Sequence, residues 1–115
     1  MVTIRFVRDS RSRLSSIFSD GHAEASVGGD DLVCAAASAI VQTAELGLIG
    51  YARVLADMAP RDADAGHGIV VPADARDRAD VRAILATAEL AIAQLARQFP
   101  ANVRYVAETD AREIG

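Results

Sequence analysis

From Asp31 onward, apolar residues recur at intervals of three and four: Val33, Ala37, Ile40, Ala44, Leu48, Tyr51 and Leu55. A helix of 3.6 residues per turn brings such positions onto one face, so the spacing predicts a long helix with a single buried stripe. Asp30 or Asp31 is placed to cap it, because a carboxylate there accepts orphan backbone N–H groups. Gly47 and Gly50 weaken the helix late, and it should end near Ala59-Pro60. A second stripe follows: Val81, Ile84, Leu85, Ala88, Ile92, Leu95 and Phe99, with Asp74 as its expected cap and Pro100 as its stop. Two long one-faced helices need a shared surface to cover.

The rest of the chain supplies one. Val2, Ile4 and Phe6 alternate with Thr3, Arg5 and Val7, the period of a half-buried strand. Asp9–Ser12 is turn chemistry, and Leu14 to Phe18 read as a second strand that completes a hairpin and runs out at Asp20-Gly21-His22. Ala23 to Asp30 and Arg61 to Gly68 are small, polar and glycine-bearing, and are expected as loops. Ile69-Val70-Val71 is a short strand closed by Pro72, and Val103 to Val106 a last one. The order is ββαβαβ. The expected architecture is α+β, a four-stranded sheet packed with two long helices, in one domain spanning all 115 residues. Hydrophobic residues make up 51% but aromatics only 4%, which points to a core of Ala, Val, Ile and Leu.

Charge narrows the function classes. The net charge is −4, lysine is absent, and the twelve arginines are scattered along the chain, so no basic stripe for nucleic acid is indicated. No apolar stretch is read as approaching the ~18 residues of a membrane span, and the start lacks a signal-like charged and apolar succession. A single cysteine excludes an internal disulfide and paired-Cys zinc spacings, and a free thiol suits a reducing compartment. A soluble, cytoplasmic protein without cofactor or metal is expected.

The chemistry-bearing stretch is SDGHAEASVGGDDLVCAAASAI, Ser19 to Ile40. It holds Cys34, the lone thiol, twelve residues after His22. At the start of a helix, free N–H groups and the positive dipole end favour a thiolate, below the free thiol pKa of roughly 8.5. His22, folding back across the loop, could act as the base that a cysteine nucleophile needs. Ser38 lies one turn after Cys34 on the same helix face, placed to donate a hydrogen bond near the thiol or, the simpler expectation, to bond back to its own helix. From these residues alone, the packing alternative stands ahead, because a cysteine in an alanine-rich helix is most often a small core residue.

The pattern as a whole is more specific. GHA, a short loop, then G-x-D-[IL]-V-C-A-A-x-S-A resembles the signature of the ribosomal-processing cysteine protease family (Prp), carried by Gly21, His22, Ala23, Gly29, Asp31, Val33, Cys34, Ala35, Ser38 and Ala39. The resemblance implies a cysteine endopeptidase with Cys34 as nucleophile and His22 as general base. It implies a substrate as well: the N-terminal extension of a large-subunit ribosomal protein, number twenty-seven. It further implies a homodimer, a mobile loop between the catalytic residues, and no direct contact with nucleic acid or membrane. Asp31 has two open roles, capping the helix or orienting His22, and capping is the simpler. Gly29 belongs to the loop. Gly28 stands where family members often carry an aromatic or bulky polar residue, a difference that bears on peptide choice.

Other polar residues read more plainly. His67 is expected as a solvated loop histidine, and Asp62 and Asp64 as a solvated acidic loop. The alternating charges Arg76, Asp77, Arg78, Asp80 and Arg82 read as the exposed start of the second helix. Two other function classes stay open: a catalytically idle ribosome-associated protein that holds the same N-terminus, and a redox sensor. The sensor lacks a resolving thiol.

Overall fold

The computed structural model describes residues 1–20, 30–54, 57–58 and 67–110. The expected hairpin forms from β1 (Val2–Arg8) and β2 (Leu14–Asp20). They pair antiparallel with Phe6 opposite Ile17. The turn between them closes through Ser12 N–H donating to the Asp9 carbonyl at 2.9 Å, with Ser12 at φ 65°. Helix α1 spans Asp30–Leu46; β4 (His67–Val70) pairs antiparallel with β2; α2 spans Ala79–Gln98; and β5 (Val103–Thr109) runs parallel to β1. A two-residue strand β3 (Asp57–Met58) extends the four expected strands at one edge, giving the order β3-β4-β2-β1-β5. The α+β reading with two long helices on a mixed sheet holds.

The alternation in β1 explains its placement. Val2, Ile4 and Phe6 are buried in the core, where each such side chain contributes about 1.5–3 kcal/mol of transfer free energy. Ile17, Ile69, Val81, Leu85, Ile92 and Val103 meet them from the other elements. On the sheet's rim, Glu89 of α2 accepts two hydrogen bonds from Arg8 of β1, at 2.9 and 2.7 Å, and one from Tyr105 of β5 at 2.8 Å. The Arg8 guanidinium holds the Glu89 carboxyl below its ordinary range, against the opposing effect of burial.

Several boundaries differ from the sequence reading, each for a physical reason. Helix α1 stops well before Ala59-Pro60, its regular part ending at Leu46 and giving way to a π-helical turn, Gly47–Tyr51. Gly47 faces Ile84 of α2, where an added Cβ would make ordinary van der Waals contact at 3.4 Å. Arg78 pins the end of the helix by donating to the Ala52 carbonyl at 2.6 Å, and Arg53 turns away at φ 57°. Tyr51 is therefore 78% exposed and off the core stripe, while Leu55 lies outside the described residues. Phe99, the last member of the second stripe, is 41% exposed.

Asp74 does not cap α2. It sits in a separate 3₁₀ turn, Ala73–Ala75, and α2 begins only at Ala79, after Arg78 in the N-cap position. The break comes from Arg76, whose guanidinium turns inward to the Val71 carbonyl (3.0 Å) and to Asp9 (3.0 Å). Arg76 is thus buried, not part of an exposed charged face. Asp80 takes over at the helix start, accepting from the Val81 N–H at 2.8 Å and pairing with Arg78.

Leu32–Tyr51 is, against expectation, long and apolar enough to cross a membrane, with a mean hydropathy of 1.7 over 18 residues. Glu45 is its single charged residue. One face of it, Cys34, Ala37, Val41, Ala44 and Leu48, is packed into the core, as in the central helix of a two-layer domain.

Candidate active site

Cys34 is the fifth residue of α1, which puts it just beyond the first turn. The helix begins at Asp30, so Asp30 and Asp31 lie within its first turn and neither occupies the cap position; that position precedes the described segment. The side chain of Asp31 is outside the described residues, as are Gly28, Gly29 and His22. The His22–Cys34 pairing and the orienting role of Asp31 therefore have no geometry to report.

The buried stripe of α1 keeps Ala37, Ala44 and Leu48 of the expected one but takes Cys34 and Val41 in place of Val33 and Ile40. Cys34, Ala37, Val41, Ala44 and Leu48 are buried, while Val33 and Ile40 flank them half-covered. Cys34, 6% exposed, is thus the first member of the core stripe and the member nearest the helix start. Packing and a place at the head of the helix are both true of this thiol. Ser38, one turn on, is exposed, and its hydroxyl makes no hydrogen bond among the described residues. The back-bond expected of it is made instead by Thr43 to Ala39 (2.6 Å) and by Thr87 to Ala83 (2.7 Å).

Leu32, in the first turn and two residues before Cys34, is 76% exposed. Two residues apart on a helix lie about 200° apart, so Leu32 faces solvent while Cys34 faces the core. His67 stands in the first position of β4, opposite Ser19, rather than in a loop. Asp62 and Asp64 lie outside the described residues. Among the described residues, no three His, Cys, Asp or Glu side chains converge as a metal site would require.

The described residues thus give an α+β domain, a mixed sheet packed with two long helices, with its lone thiol near the start of the first helix. A family model described as cysteine protease Prp matches residues 1–104, and the chain belongs to that family. The resemblance read from Gly21 to Ala39 is borne out, and the protein is a cysteine protease. SMU.848 from Streptococcus mutans has a similar structure, with a TM-score of 0.86, 25% identity, and 96% of each chain covered. The S. aureus ribosomal processing protease Prp has the same fold in complexes with a substrate peptide (TM-score 0.81) and with a covalently linked product peptide (TM-score 0.79). Both are 22% identical, over 93% of this chain and 99% of that one. Comparison with curated proteins gives no match.

Proposed function

We propose that this chain is a ribosomal-processing endopeptidase that removes the N-terminal extension of a large-subunit ribosomal protein, number twenty-seven. The observation that carries the reading is Cys34 at the head of α1 in a chain of the Prp family. A relative of the same fold is a ribosomal processing protease that holds a substrate peptide and a covalently linked product peptide. In the proposed reaction, His22 accepts the Cys34 proton and the thiolate attacks the scissile carbonyl. The new bond is a thioester, the amine leaves with a proton from His22, and water then releases the acid and restores the thiol. Backbone N–H groups of the first turn of α1 have no intrahelical acceptors and are suited to stabilise the oxyanion. Since Cys34 is 6% exposed, attack also requires the side chains around it to give way to the peptide.

A homodimer in a reducing cytoplasm is part of the same reading. The exposed surface of α1 after Leu32 bears almost no charge, and an apolar groove of about 550 Å³ runs between α1 and α2 beside Ala39, Thr43, Ala83 and Thr87. Leu46 and Leu90 are exposed on the same two helices. Such a surface suits a second copy of the chain.

The test is a peptide spanning the N-terminus of the organism's own ribosomal protein, incubated with the enzyme and read by mass spectrometry. A single cut, lost in Cys34→Ala and strongly slowed in His22→Ala, is the expected outcome. Binding without any cut, equal in wild type and Cys34→Ala, would replace the protease with the idle binding protein.

A further inference from the structure

Arginines scattered in the sequence converge in space. A cleft of about 460 Å³ lies between the β1–β2 turn and the start of α2, and five of the twelve arginines line it: Arg8, Arg11, Arg13, Arg76 and Arg82. Three carboxylates, Asp9, Asp77 and Glu89, pair with members of this set, which leaves the cleft a net charge of +2 on a chain of net charge −4. Arg11 and Arg82 are exposed and have no side-chain partner among the described residues.

The cleft is held in shape from below. Asp9 accepts hydrogen bonds from the Arg11 and Arg13 N–H groups (2.9 and 3.1 Å), from Arg13 Nε (3.0 Å) and from Arg76 Nη1 (3.0 Å). Arg13 also reaches Asp77 at 2.9 Å. Two guanidiniums, Arg13 and Arg76, are therefore already ordered when a ligand arrives, so only Arg11 and Arg82 lose side-chain entropy on binding. Arginine presents a planar fork of donors that matches phosphate oxygens in pairs.

We propose that this cleft binds a small phosphate-bearing ligand, its phosphate group held by Arg11 and Arg82 over the ordered Arg13 and Arg76. A local charge of +2 matches a phosphate dianion better than a single carboxylate. The concave form, with a volume inside the ~300–1,000 Å³ range of small-ligand sites, suits one compact group rather than a polyanion laid along a stripe. The site is separate from the thiol. The turn lies where β1 ends and β2 begins, whereas Cys34 follows the far end of β2. Cys34 is not among the residues that line the cleft. The proposal does not rest on the peptidase reading.

The test titrates full-length protein, labelled with ¹⁵N in its arginine side chains, with inorganic pyrophosphate at constant ionic strength. A parallel titration uses a ten-residue oligothymidylate. Saturable shifts at the Arg11 and Arg82 Nε–H signals are expected with pyrophosphate. Arg11→Gln/Arg82→Gln should weaken binding by about tenfold or more, the loss of charge-assisted hydrogen bonds, while Arg104→Gln on β5 should not. Both changed residues are exposed, so the double variant should fold, and an unchanged amide spectrum elsewhere checks this. Shifts that fail to saturate, that spread evenly over all arginines, or that survive in the double variant overturn the site. Saturation by the oligonucleotide alone overturns the small ligand in favour of a nucleic-acid backbone.

Discussion

Arg76 and Asp9, 67 positions apart in the chain, meet in the interior with Arg76 Nη1 3.0 Å from Asp9 Oδ2 and side chains only 4% and 0% exposed. The pair ties the β1–β2 turn to the segment leading into α2. Arg13 joins it from the other side; its Nη2 lies 3.0 Å from the same oxygen, an ion contact without hydrogen-bond alignment. Removing Arg76 takes a charge-assisted hydrogen bond from a buried carboxylate that keeps Arg13 and two backbone N–H donors, so the cost falls at the low end of that for a broken buried pair. Arg76→Met should therefore lower stability by about 3 kcal/mol in urea unfolding. Adding Asp9→Asn should cost less than the sum of the two single changes, because the buried charge is then gone as well.

The same cluster sets an acid limit. Burial would push the Asp9 carboxyl up, but hydrogen bonds from Arg13, Arg76 and Arg11 outweigh it and hold the group at about 2, against 3.8 unfolded. A depressed carboxylate adds stability in full above its unfolded value and loses it as pH falls toward the folded one. The urea midpoint of the wild type should thus drop between about pH 4 and pH 2. Glu89 and Asp80, also lowered, share in the fall. Asp9→Asn should start lower at pH 5 and fall less steeply. An equal slope in the two proteins would remove Asp9 from the acid transition.

How far this was legible in the sequence follows from the range of the forces involved. Val2, Ile4 and Phe6, and the stripe from Val81 to Leu95, announce their partners through local periodicity, so the sheet and both helices could be read. Arg76 could not: in RDRADVR it looks like one more solvated charge, and its partner Asp9 lies in a different turn. Asp74 was misjudged for the same reason, since the inward pull of Arg76 delays the start of α2. The end of α1 was missed because the Ala52 carbonyl is held by Arg78, 26 positions away in the chain. At the site, the motif around Cys34 was legible as a family pattern. Burial of the thiol was legible as the packing alternative, but its place in the stripe was not, because Val33 and Cys34 are neighbours and the stripe's phase is set by the sheet beneath it.

The uncharged helical face offers a test of self-association. Leu46 and Leu90 are 70% and 72% exposed, so replacing either by arginine disturbs no core contact, and stability should stay within about 0.5 kcal/mol. If the groove between α1 and α2 receives a second copy, two-fold symmetry places each substituted charge in the interface twice. Sedimentation velocity should then show a dimer for the wild type and a shift toward monomer for Leu46→Arg and Leu90→Arg. A dimer untouched by both changes would place the interface elsewhere.

Cys34 carries two roles that substitution can separate. As the first residue of the buried stripe it fills volume beside Ala37 and Val41, and as the family's thiol it is the proposed nucleophile. Cys34→Ala removes one sulfur atom from the top of the core and should cost about 1 kcal/mol. Cys34→Ser is closer in shape but brings a hydroxyl that must find a partner while 6% exposed, so it should cost more, about 2 kcal/mol. Thermal melts should rank wild type above Ala and Ala above Ser, while peptide cleavage is abolished in both. A serine variant more stable than the alanine one would mean that the thiol's surroundings are polar, with a hydrogen-bond acceptor at hand, and that the core-stripe description stops at Ala37.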